Sequence, residues 1–544
     1  MSNGETTGER RAPGRELPQL GRRAFLGGSI VTAAAIAAGC GGSSGPGATK
    51  ATTTSAPSLG PTTTVHSAKL TGDPFQLGIA SGDPDASSVV LWTRLAPKPL
   101  ALDAKGGMPA GPVDVIWELA TDARFTKVVS RGVETAEPSQ SHSVHVHADG
   151  LDAGTDHYYR FTVGDFTSPP GRTRTLPSGS PKAFNLAVAN CQWREAGRYA
   201  AYRDMAEGDY DLVLHLGDYI YELAGNAGPK GDRPTEPGHL IETLADYRLR
   251  HASYRLDEHL RAAHARFPFV VVWDDHDVAN NYMGDTLPTS NDVAFVQARK
   301  AAAYQAWWEH MPTRFDPPTG SDLAIYQALD IGDLARIVML DERQDAAIPP
   351  CRDTALGDYG DCDDRLGEDR TRLGAAQETF TSKALAKGGV TWNLLGNPVV
   401  LAGVDAGGGS SAFYLDTWDG YPEARIRLIE QLAASTNPVV LTGDYHAGMV
   451  LDVHATPFDQ GSKVVAPEFM APPISSPLFD ADVSKRTPQL RQQLNSHGYL
   501  GVTVTPDLLT AHFKVVADVN DAASKVTEAA TWQVQAGDPV ATKV

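Results

Sequence analysis

The stretch from Val270 to Tyr282 reads VVVWDDHDVANNY, and it limits the folds that this chain can adopt. Its valines are typical of a buried strand, yet the run ends in Asp274, Asp275 and Asp277 around one histidine. Burying one unpaired carboxylate is costly, and three close together repel one another. The fold must therefore bring groups to this strand end that neutralise the acids.

Strands that end in polar residues recur after Pro181 and alternate with helical stretches. This alternation predicts an α/β fold, in which active sites lie at the carboxyl ends of the strands. A single aspartate there is more often a helix cap or a turn, but six strands each supply a residue that can bind a metal. These residues are Cys191; Asp218 with Tyr221; Asp274, Asp275, His276 and Asp277; Asp341; Asn397; and Asp444 with His446. We infer that metal cations neutralise the acids.

The ligand types at these strand ends indicate a transition metal at one position. Cys191, Tyr221 and His446 offer a thiolate, a phenolate and an imidazole. A thiolate with a phenolate suggests a transition metal, and the hard phenolate favours Fe(III) over zinc. Asp218 can bridge from this ion to a second one.

The remaining ligands indicate a second metal of a different kind. Asp275, Asn397 and Asp444 offer only oxygen, which suits Ca²⁺, Mg²⁺ or Mn²⁺. Paired metals activate water and hold both oxygens of an in-line phosphoryl displacement. The sequence therefore predicts phosphoryl chemistry at a mixed two-metal site.

Two further residues are candidates for contact with the substrate. His276 follows a predicted ligand and is placed to touch the phosphate or to protonate the leaving oxygen; the alternative is a structural histidine. Arg343 follows the strand ARIVMLD, and its planar fork matches two phosphate oxygens. The alternative for Arg343 is a structural ion pair with Asp341.

The amino-terminal region predicts export rather than part of the fold. Arg22 and Arg23 precede an apolar run that ends at Cys40, which predicts a twin-arginine signal over residues 1–40 and use of that export machinery. Cys40 lies in an imperfect lipobox, so anchoring through a lipidated Cys40 and plain cleavage both stay open. Residues 41–72 are rich in Gly, Ser, Thr and Pro and predict a flexible linker.

The rest of the chain divides into two predicted domains. Short strands separated by turns fill residues 73–178 and predict a small β-sandwich. Residues 179–535 carry the α/β pattern, and their strand-like tail is expected to complete an edge of the sheet. The formal charge of −19 argues against a nucleic-acid-binding protein and suits one that concentrates divalent cations.

Five motifs in the order GDYIYE, WDDHDVANNY, LGNPVV, DTWDGYPEAR and LTGDYH resemble those of the PhoD-type alkaline phosphatases. That family is related in its core to the purple acid phosphatases and other calcineurin-like metallophosphoesterases. The resemblance extends from about Phe75 to near the carboxyl terminus. It implies an exported enzyme that hydrolyses small phosphate monoesters or diesters at alkaline pH with Fe(III) and Ca²⁺. It also implies an all-β sandwich in front of a metallophosphoesterase βαβ sandwich.

The chain departs from the classical metallophosphoesterase pattern at several ligands. Cys191 stands at the first aspartate of that pattern, and Asn397 and Asp444 stand where it has nitrogen ligands. These changes remove nitrogen from the second metal's ligands, in agreement with calcium. Whether Asn280 or Asn281 supplies a further oxygen stays open.

The cysteines can then be assigned. With Cys40 in the signal and Cys191 at the metal, Cys351 and Cys362 remain, in one loop without apolar periodicity. In an oxidising compartment these two are predicted to form a disulfide.

Two other functions are consistent with the sequence. One is a phospholipase D-like phosphodiesterase that acts on phospholipids with the same site chemistry. The other is a non-catalytic lipoprotein whose metals only hold the fold. So many ligands at strand ends argue against the second alternative, because structural sites normally close their coordination shell.

Overall fold

The computed structural model describes residues 69–224, 233–351, 359–405, 413–479 and 481–544. The predicted export signal, Cys40 and most of the predicted linker lie outside these residues. Among the described residues, no α-helix has both the length and the apolar character needed to cross a membrane.

Two large mixed sheets form the centre of the molecule. In spatial order, the ten-stranded sheet comprises β24 (Thr542–Lys543), β23 (Val526–Gln535), β22 (Leu508–Val516), β21 (Gly498–Val504), β9 (Phe184–Ala189), β10 (Leu212–Leu216), β11 (Pro268–Val272), β1 (Ile79–Gly82), β2 (Val89–Arg94) and β5 (Ser143–Ala148). The seven-stranded sheet comprises β12 (Gln327–Ile331), β13 (Ala335–Met339), β15 (Trp392–Asn397), β17 (Pro438–Thr442), β19 (Val464–Met470), β18 (Gly448–His454) and β20 (Leu490–Leu494). The strands are numbered in the order in which they occur in the sequence.

Each large sheet is parallel at its centre and antiparallel at its edges. Strands β9, β10, β11 and β1 pair in parallel, as do β13, β15, β17 and β19. The predicted carboxyl-terminal strands β21 to β24 extend one edge of the ten-stranded sheet, as the sequence indicates. Parallel strands present their carboxyl ends at one edge, which is why residues from distant motifs meet there.

Alternate side chains of the central strands of the seven-stranded sheet enter different cores. In β13, Ile337 packs in the core shared with the ten-stranded sheet, whereas Val338 packs in the core shared with two of the α-helices. Leu394 and Leu395 of β15 divide in the same way. Because both faces of these strands are covered, their sequences are continuous apolar runs rather than alternating ones.

Helices cover the outer faces of both sheets. Several begin at a side chain that caps free backbone N–H groups: Thr243 and Asp246 form a capping box, and Asp257 and Asp292 each accept two backbone N–H groups. The α-helices are α1 (Ala200–Glu207), α2 (Leu244–Arg255), α3 (Glu258–Arg266), α4 (Val293–His310), α5 (Gly374–Ala386) and α6 (Pro422–Ala434). The 3₁₀ helices are Pro138–Gln140, Arg194–Ala196, Asp275–Asp277, Asp363–Leu366 and Trp418–Gly420.

The amino-terminal strands form the predicted sandwich, but one of its layers belongs to the main sheet. β1, β2 and β5 pack against a smaller sheet around a shared core, yet β1 also pairs in parallel with β11. The division predicted at residue 178 therefore does not separate two sheets, because β1 satisfies the backbone groups at the edge of β11. The smaller sheet comprises β4 (Val128–Ala136), β3 (Val113–Ala120), β6 (Asp156–Val163), β7 (Phe166–Thr167) and β8 (Gly171–Arg174), and a separate ribbon comprises β14 (Tyr359–Gly360) and β16 (Phe413–Tyr414).

Candidate metal centre

A cavity of about 400 Å³ opens at the carboxyl ends of the central strands. Its floor is made by predicted ligands that follow β10, β11 and β17, and its walls are amide and aromatic side chains. The lining residues are Asp218, Asp275, His276, Asn280, Asn281, Tyr359, Tyr414, Asp444, Tyr445, His446, Pro477, Leu478 and Phe479. Distant strand ends thus meet at one concave site, which is the default location for an active site.

The predicted transition-metal ligands lie together at this floor. Cys191, Asp218 and His446 each offer a ligand atom, and these atoms lie within 4.8 Å of one another. The Tyr221 hydroxyl lies 2.7 Å from Oδ2 of Asp218 and 3.2 Å from Nε2 of His446. Burial lowers the pKa of His446 to about 4, which leaves its imidazole neutral and able to bind a metal. The structure therefore brings all four predicted residues to one point.

The predicted oxygen ligands form an adjoining group. Ligand atoms of Asp218, Asp275 and His276 lie within 4.8 Å of one another, and so do those of Asp274, Asp275 and Asp444. Asp218 and Asp275 thus join neighbouring groups, as a residue between two metals would. The described residues thus include three overlapping groups that could hold a metal ion.

Unpaired oxygens in this region fit a cation. Asp218 Oδ1, Asn397 Oδ1 and Asp444 Oδ2 are buried, and none has a hydrogen-bond partner within the described part of the chain. Asn397 ends β15, and its amide nitrogen donates to the carbonyl of Val399, which leaves Oδ1 as its free atom. Buried oxygens without partners are costly, and carbonyl and carboxylate oxygens are the ligands that Ca²⁺ prefers.

The backbone at the floor adopts a conformation that side chains rarely take. Cys191, Asp218, Asp444 and His446 have φ between 50° and 68°. Such left-handed residues cost free energy and cluster at functional sites. Gly217 precedes Asp218 at φ 101°, and a Cβ there would lie 2.4 Å from the Cβ of Asp274. The strand-to-loop turns therefore aim the ligands at a common point at the expense of local strain.

Burial and mutual repulsion act on the carboxylates of the floor. Burial raises the pKa of Asp218 and that of Asp444 well above the usual carboxyl range, and nearby carboxylates raise both further. Burial acts in the same direction on Asp275, but Arg343 and His276 outweigh it and hold the pKa of Asp275 below its usual value. The floor holds more negative charge than the described side chains neutralise.

The position of Arg343 corrects its predicted role in holding the phosphate. Its side chain is fully buried and is not part of the described cavity lining. Its two terminal nitrogens bind both oxygens of Asp416 at 2.7 and 3.0 Å, and its Nε binds Asp274. The alternative partner, Asp341, accepts the backbone N–H of Arg343 at 3.0 Å and does not pair with its guanidinium. Carboxylates already occupy the guanidinium, so Arg343 neutralises buried acids instead of contacting substrate.

His276 lines the cavity and is held by a residue that the sequence analysis did not single out. Nδ1 of His276 lies 2.7 Å from Glu222, whose other oxygen accepts the backbone N–H of Asn280. The His276 ring also packs on the ring of Tyr221, with 4.2 Å between centroids. Burial opposes the charged imidazolium, but Glu222 and Asp275 outweigh it and raise the pKa of His276 well above its usual value. In the sequence, Glu222 directly follows the predicted ligand Tyr221 in GDYIYE, and this position could have identified it.

Asp277 stabilises the loop that carries the ligands. Its carboxylate accepts the backbone N–H groups of Tyr219, Ile220 and Asp274, at 3.4, 3.2 and 3.0 Å. It thus ties the loop after β10 to the loop after β11. Asp277 therefore supports the site without lining the cavity.

The loop cysteines are bonded to each other. Cys351 and Cys362 form a disulfide with 5.7 Å between their Cα atoms. Cys191 is the free cysteine of the described residues and is buried at the floor. This is the pairing that the sequence predicts.

Comparisons with known proteins identify the family to which this chain belongs. The PhoD-like phosphatase family model matches residues 186–513, and the model of the PhoD-like phosphatase N-terminal domain matches residues 60–177. Alkaline phosphatase D of Bacillus subtilis (strain 168) is 41% identical over 481 residues, which are 85% of this chain and 81% of that protein. A solved structure described as "Structure of PhoD" is 39% identical and covers 88% of this chain and 93% of its own, with a TM-score of 0.83. The chain therefore belongs to the PhoD-like phosphatase family and is a phosphoric ester hydrolase.

Proposed function

We propose that the chain is an exported alkaline phosphatase that hydrolyses phosphate monoesters, diesters or both with water activated by two metal ions. One observation carries this proposal: acids from three strand ends line one cavity, and two of them, Asp218 and Asp444, have a buried oxygen without a partner among the described residues. A purely structural metal site would have a closed shell, whereas this floor opens to a cavity that can admit substrate.

The donor set fits two different ions. The proposed ligands are Cys191, Tyr221 and His446 for Fe(III), Asp275, Asn397 and Asp444 for Ca²⁺ (with Mg²⁺ or Mn²⁺ as alternatives), and Asp218 for both. When bound, these ions supply a water of lowered pKa and neutralise charge on the phosphate.

The protein's own groups orient the ester and handle its protons. Glu222 occupies Nδ1 of His276, so Nε2 is the nitrogen left to contact the phosphate or to give a proton to the leaving oxygen. Asn280 and Asn281 line the cavity beside it and offer amide groups to the ester. The described lining contains two histidines, His276 and His446, and neither lysine nor arginine. Because burial lowers the pKa of His446, whereas neighbouring carboxylates outweigh burial and raise the pKa of His276, His276 is the lining histidine that carries positive charge near neutral pH.

Export is proposed from the sequence. The twin arginines Arg22 and Arg23 and the apolar run behind them predict the twin-arginine route. Replacing both arginines by lysine should keep the protein inside the cell, and mass spectrometry of the exported protein should show whether Cys40 carries lipid. Export of the lysine variant at the normal level would contradict the route.

The catalytic proposal is tested by a substrate panel with metal analysis. Active protein should contain iron and a second, oxygen-seeking metal, and it should hydrolyse an aryl monoester, a bis-aryl diester or both. Tyr221 bound to Fe(III) should give a visible charge-transfer band that Tyr221→Phe removes. Turnover confined to phospholipid vesicles would favour the phospholipase D-like alternative, and colourless active protein without iron would refute the iron assignment.

A matched pair of variants tests whether turnover depends on an acid of the proposed site rather than on the loss of any acidic side chain. Asp275→Asn should lose turnover and metal, whereas Asp363→Asn, which removes an exposed acid at the start of the 3₁₀ helix after Cys362, should keep both. Equal activity of the two variants would refute the proposed site.

A further inference from the structure

Four aromatic rings form a continuous wall along one side of the cavity. Tyr359 and Tyr414 lie with 5.3 Å between ring centroids, Tyr414 and Tyr445 with 6.2 Å, and Tyr445 and Phe479 with 4.7 Å. All four residues line the same cavity as the predicted ligands. We refer to these four residues as the aromatic wall.

The aromatic wall is attached directly to the floor. Tyr445 lies between Asp444 and His446 in the chain, and the backbone N–H of Phe479 donates to the carbonyl of His446 at 3.1 Å. Tyr359 and Tyr414 pair across the ribbon of β14 and β16. Two of the four rings therefore belong to segments joined to the ligand-bearing loop, and all four line the cavity that would hold the rest of a phosphate ester.

The charge of the cavity limits what the wall can accept. Its three lining aspartates are the proposed metal ligands, so bound cations offset their charge, and the described lining adds neither lysine nor arginine. A second phosphate group or a polynucleotide backbone would therefore find no lysine or arginine to bind it there. A neutral planar ring would instead stack on tyrosine and phenylalanine.

We propose that the aromatic wall selects phosphate esters whose alcohol part carries a planar aromatic or heteroaromatic ring. This inference rests on the proposed function and specifies the substrate class of the same site. In the reaction, water forms a new P–O bond, the P–O bond to the alcohol breaks, and the alcohol oxygen takes a proton. The ring stays on the alcohol, so stacking positions the ester without taking part in bond cleavage.

Two matched substrate pairs test this selection. Adenosine 5′-monophosphate and ribose 5-phosphate share the same primary leaving oxygen and differ in the base. Benzyl phosphate and cyclohexylmethyl phosphate also share a primary leaving oxygen and differ in ring planarity. We expect kcat/KM to favour the planar member of each pair by about tenfold, mainly through KM. A preference in the first pair alone would restrict the class to nucleobases, and no preference in either pair would overturn the inference.

Variants of Tyr414 test whether the preference for planar substrates depends on the aromatic wall. Tyr414→Leu should remove most of the planar preference by lowering kcat/KM for the planar member of each pair more than for the non-planar member, whereas Tyr414→Phe should keep the preference. Tyr326→Leu is the control, because Tyr326 packs on Phe380 and does not line this cavity. A planar preference unchanged in Tyr414→Leu, with that protein folded, would contradict the wall's role. Failure of the wild type to hydrolyse any of the four monoesters would overturn the inference, and a bis-aryl diester assayed beside them shows whether the proposed function fails as well.

Discussion

Two groups of buried acids lie side by side in this molecule, and different partners neutralise them. In the first group arginines bind the carboxylates, and in the second Asp218 and Asp444 each keep one buried oxygen that has no hydrogen-bond partner among the described residues. The arginine-bound pairs are Asp274 and Asp416 with Arg343, Asp419 with Arg425, and Glu342 with Arg372. The second group comprises Asp218, Asp275 and Asp444 at the cavity floor.

The difference between the two groups shows that an acid adjacent in sequence to a proposed ligand can have another role. Asp274 and Asp275 are adjacent in the chain, but Asp274 faces the guanidinium of Arg343 and Asp275 lines the cavity. Nη2 of Arg343 lies 3.5 Å from Asp275, so the two groups touch at that point. Arginines supply the counter-charge of the first group, although Oδ2 of Asp274 has no partner among the described residues. We propose that cations supply the counter-charge of the second group.

The largest expected effect comes from breaking the second group. Asp275→Ala removes an oxygen from the proposed second metal, and kcat/KM on an aryl phosphate should fall roughly a thousandfold or more because the water loses its activation. Metal content should fall with it when iron and calcium are supplied in excess. Full retention of the second metal in Asp275→Ala would show that its assignment as a ligand is wrong.

Breaking the first group should cost stability instead. Arg343→Met leaves Asp274 and Asp416 buried without a counter-charge, which should lower the free energy of unfolding by about 3–5 kcal/mol. Denaturant unfolding of metal-stripped protein measures this. Arg160→Met is the control, because its partly exposed pair with Glu118 should contribute at most about 1 kcal/mol. Equal losses in the two variants would contradict the contrast.

Asp277 tests whether a supporting acid behaves like a ligand. Asp277→Ala removes three acceptor contacts to the ligand loops, and kcat/KM should fall by about 10–100-fold with metal still bound. Steady-state kinetics with metal analysis separates this variant from Asp275→Ala. If Asp277→Ala were the more damaged of the two, the ligand assignment in this motif would be reversed.

The smallest expected effect is a change in the free energy of unfolding whose sign should differ between the two groups of acids. In metal-stripped protein, Asp444→Asn keeps the side-chain shape and removes repulsion with Asp274 and Asp275, so unfolding free energy should stay constant or rise by up to about 1 kcal/mol. Asp416→Asn should lower it, because Arg343 loses its two-oxygen partner. Destabilisation by both variants would mean that the two groups are held in the same way.

Much of the site follows from the sequence because strand geometry dictates it. Parallel strands bring their carboxyl ends to one edge of a sheet, so Cys191 and Asp218, which follow the neighbouring strands β9 and β10, could be predicted to meet without knowledge of any contact. Asp444 follows β17 of the other sheet, and its approach depends on how the two sheets pack. The side-chain types then indicated metals. The disulfide followed because Cys351 and Cys362 share a short loop.

Partners across long separations could not be predicted in this way. Arg343 pairs with Asp416 across 73 residues, and His276 pairs with Glu222 across 54. Strand periodicity sets which edge a residue reaches and leaves open which side chain it meets there. The parallel pairing of β1 with β11 and the aromatic wall likewise depend on how separate segments are placed in space.

The central claim is that cations complete the second group of acids, and metal removal with add-back tests it most directly. The protein would be stripped with a chelator, checked for metal by elemental analysis and for fold by circular dichroism, and assayed on an aryl phosphate. We predict that stripped protein keeps its secondary structure, loses turnover, and regains it when iron and calcium are returned together. Full turnover by folded protein that contains no metal would contradict the account.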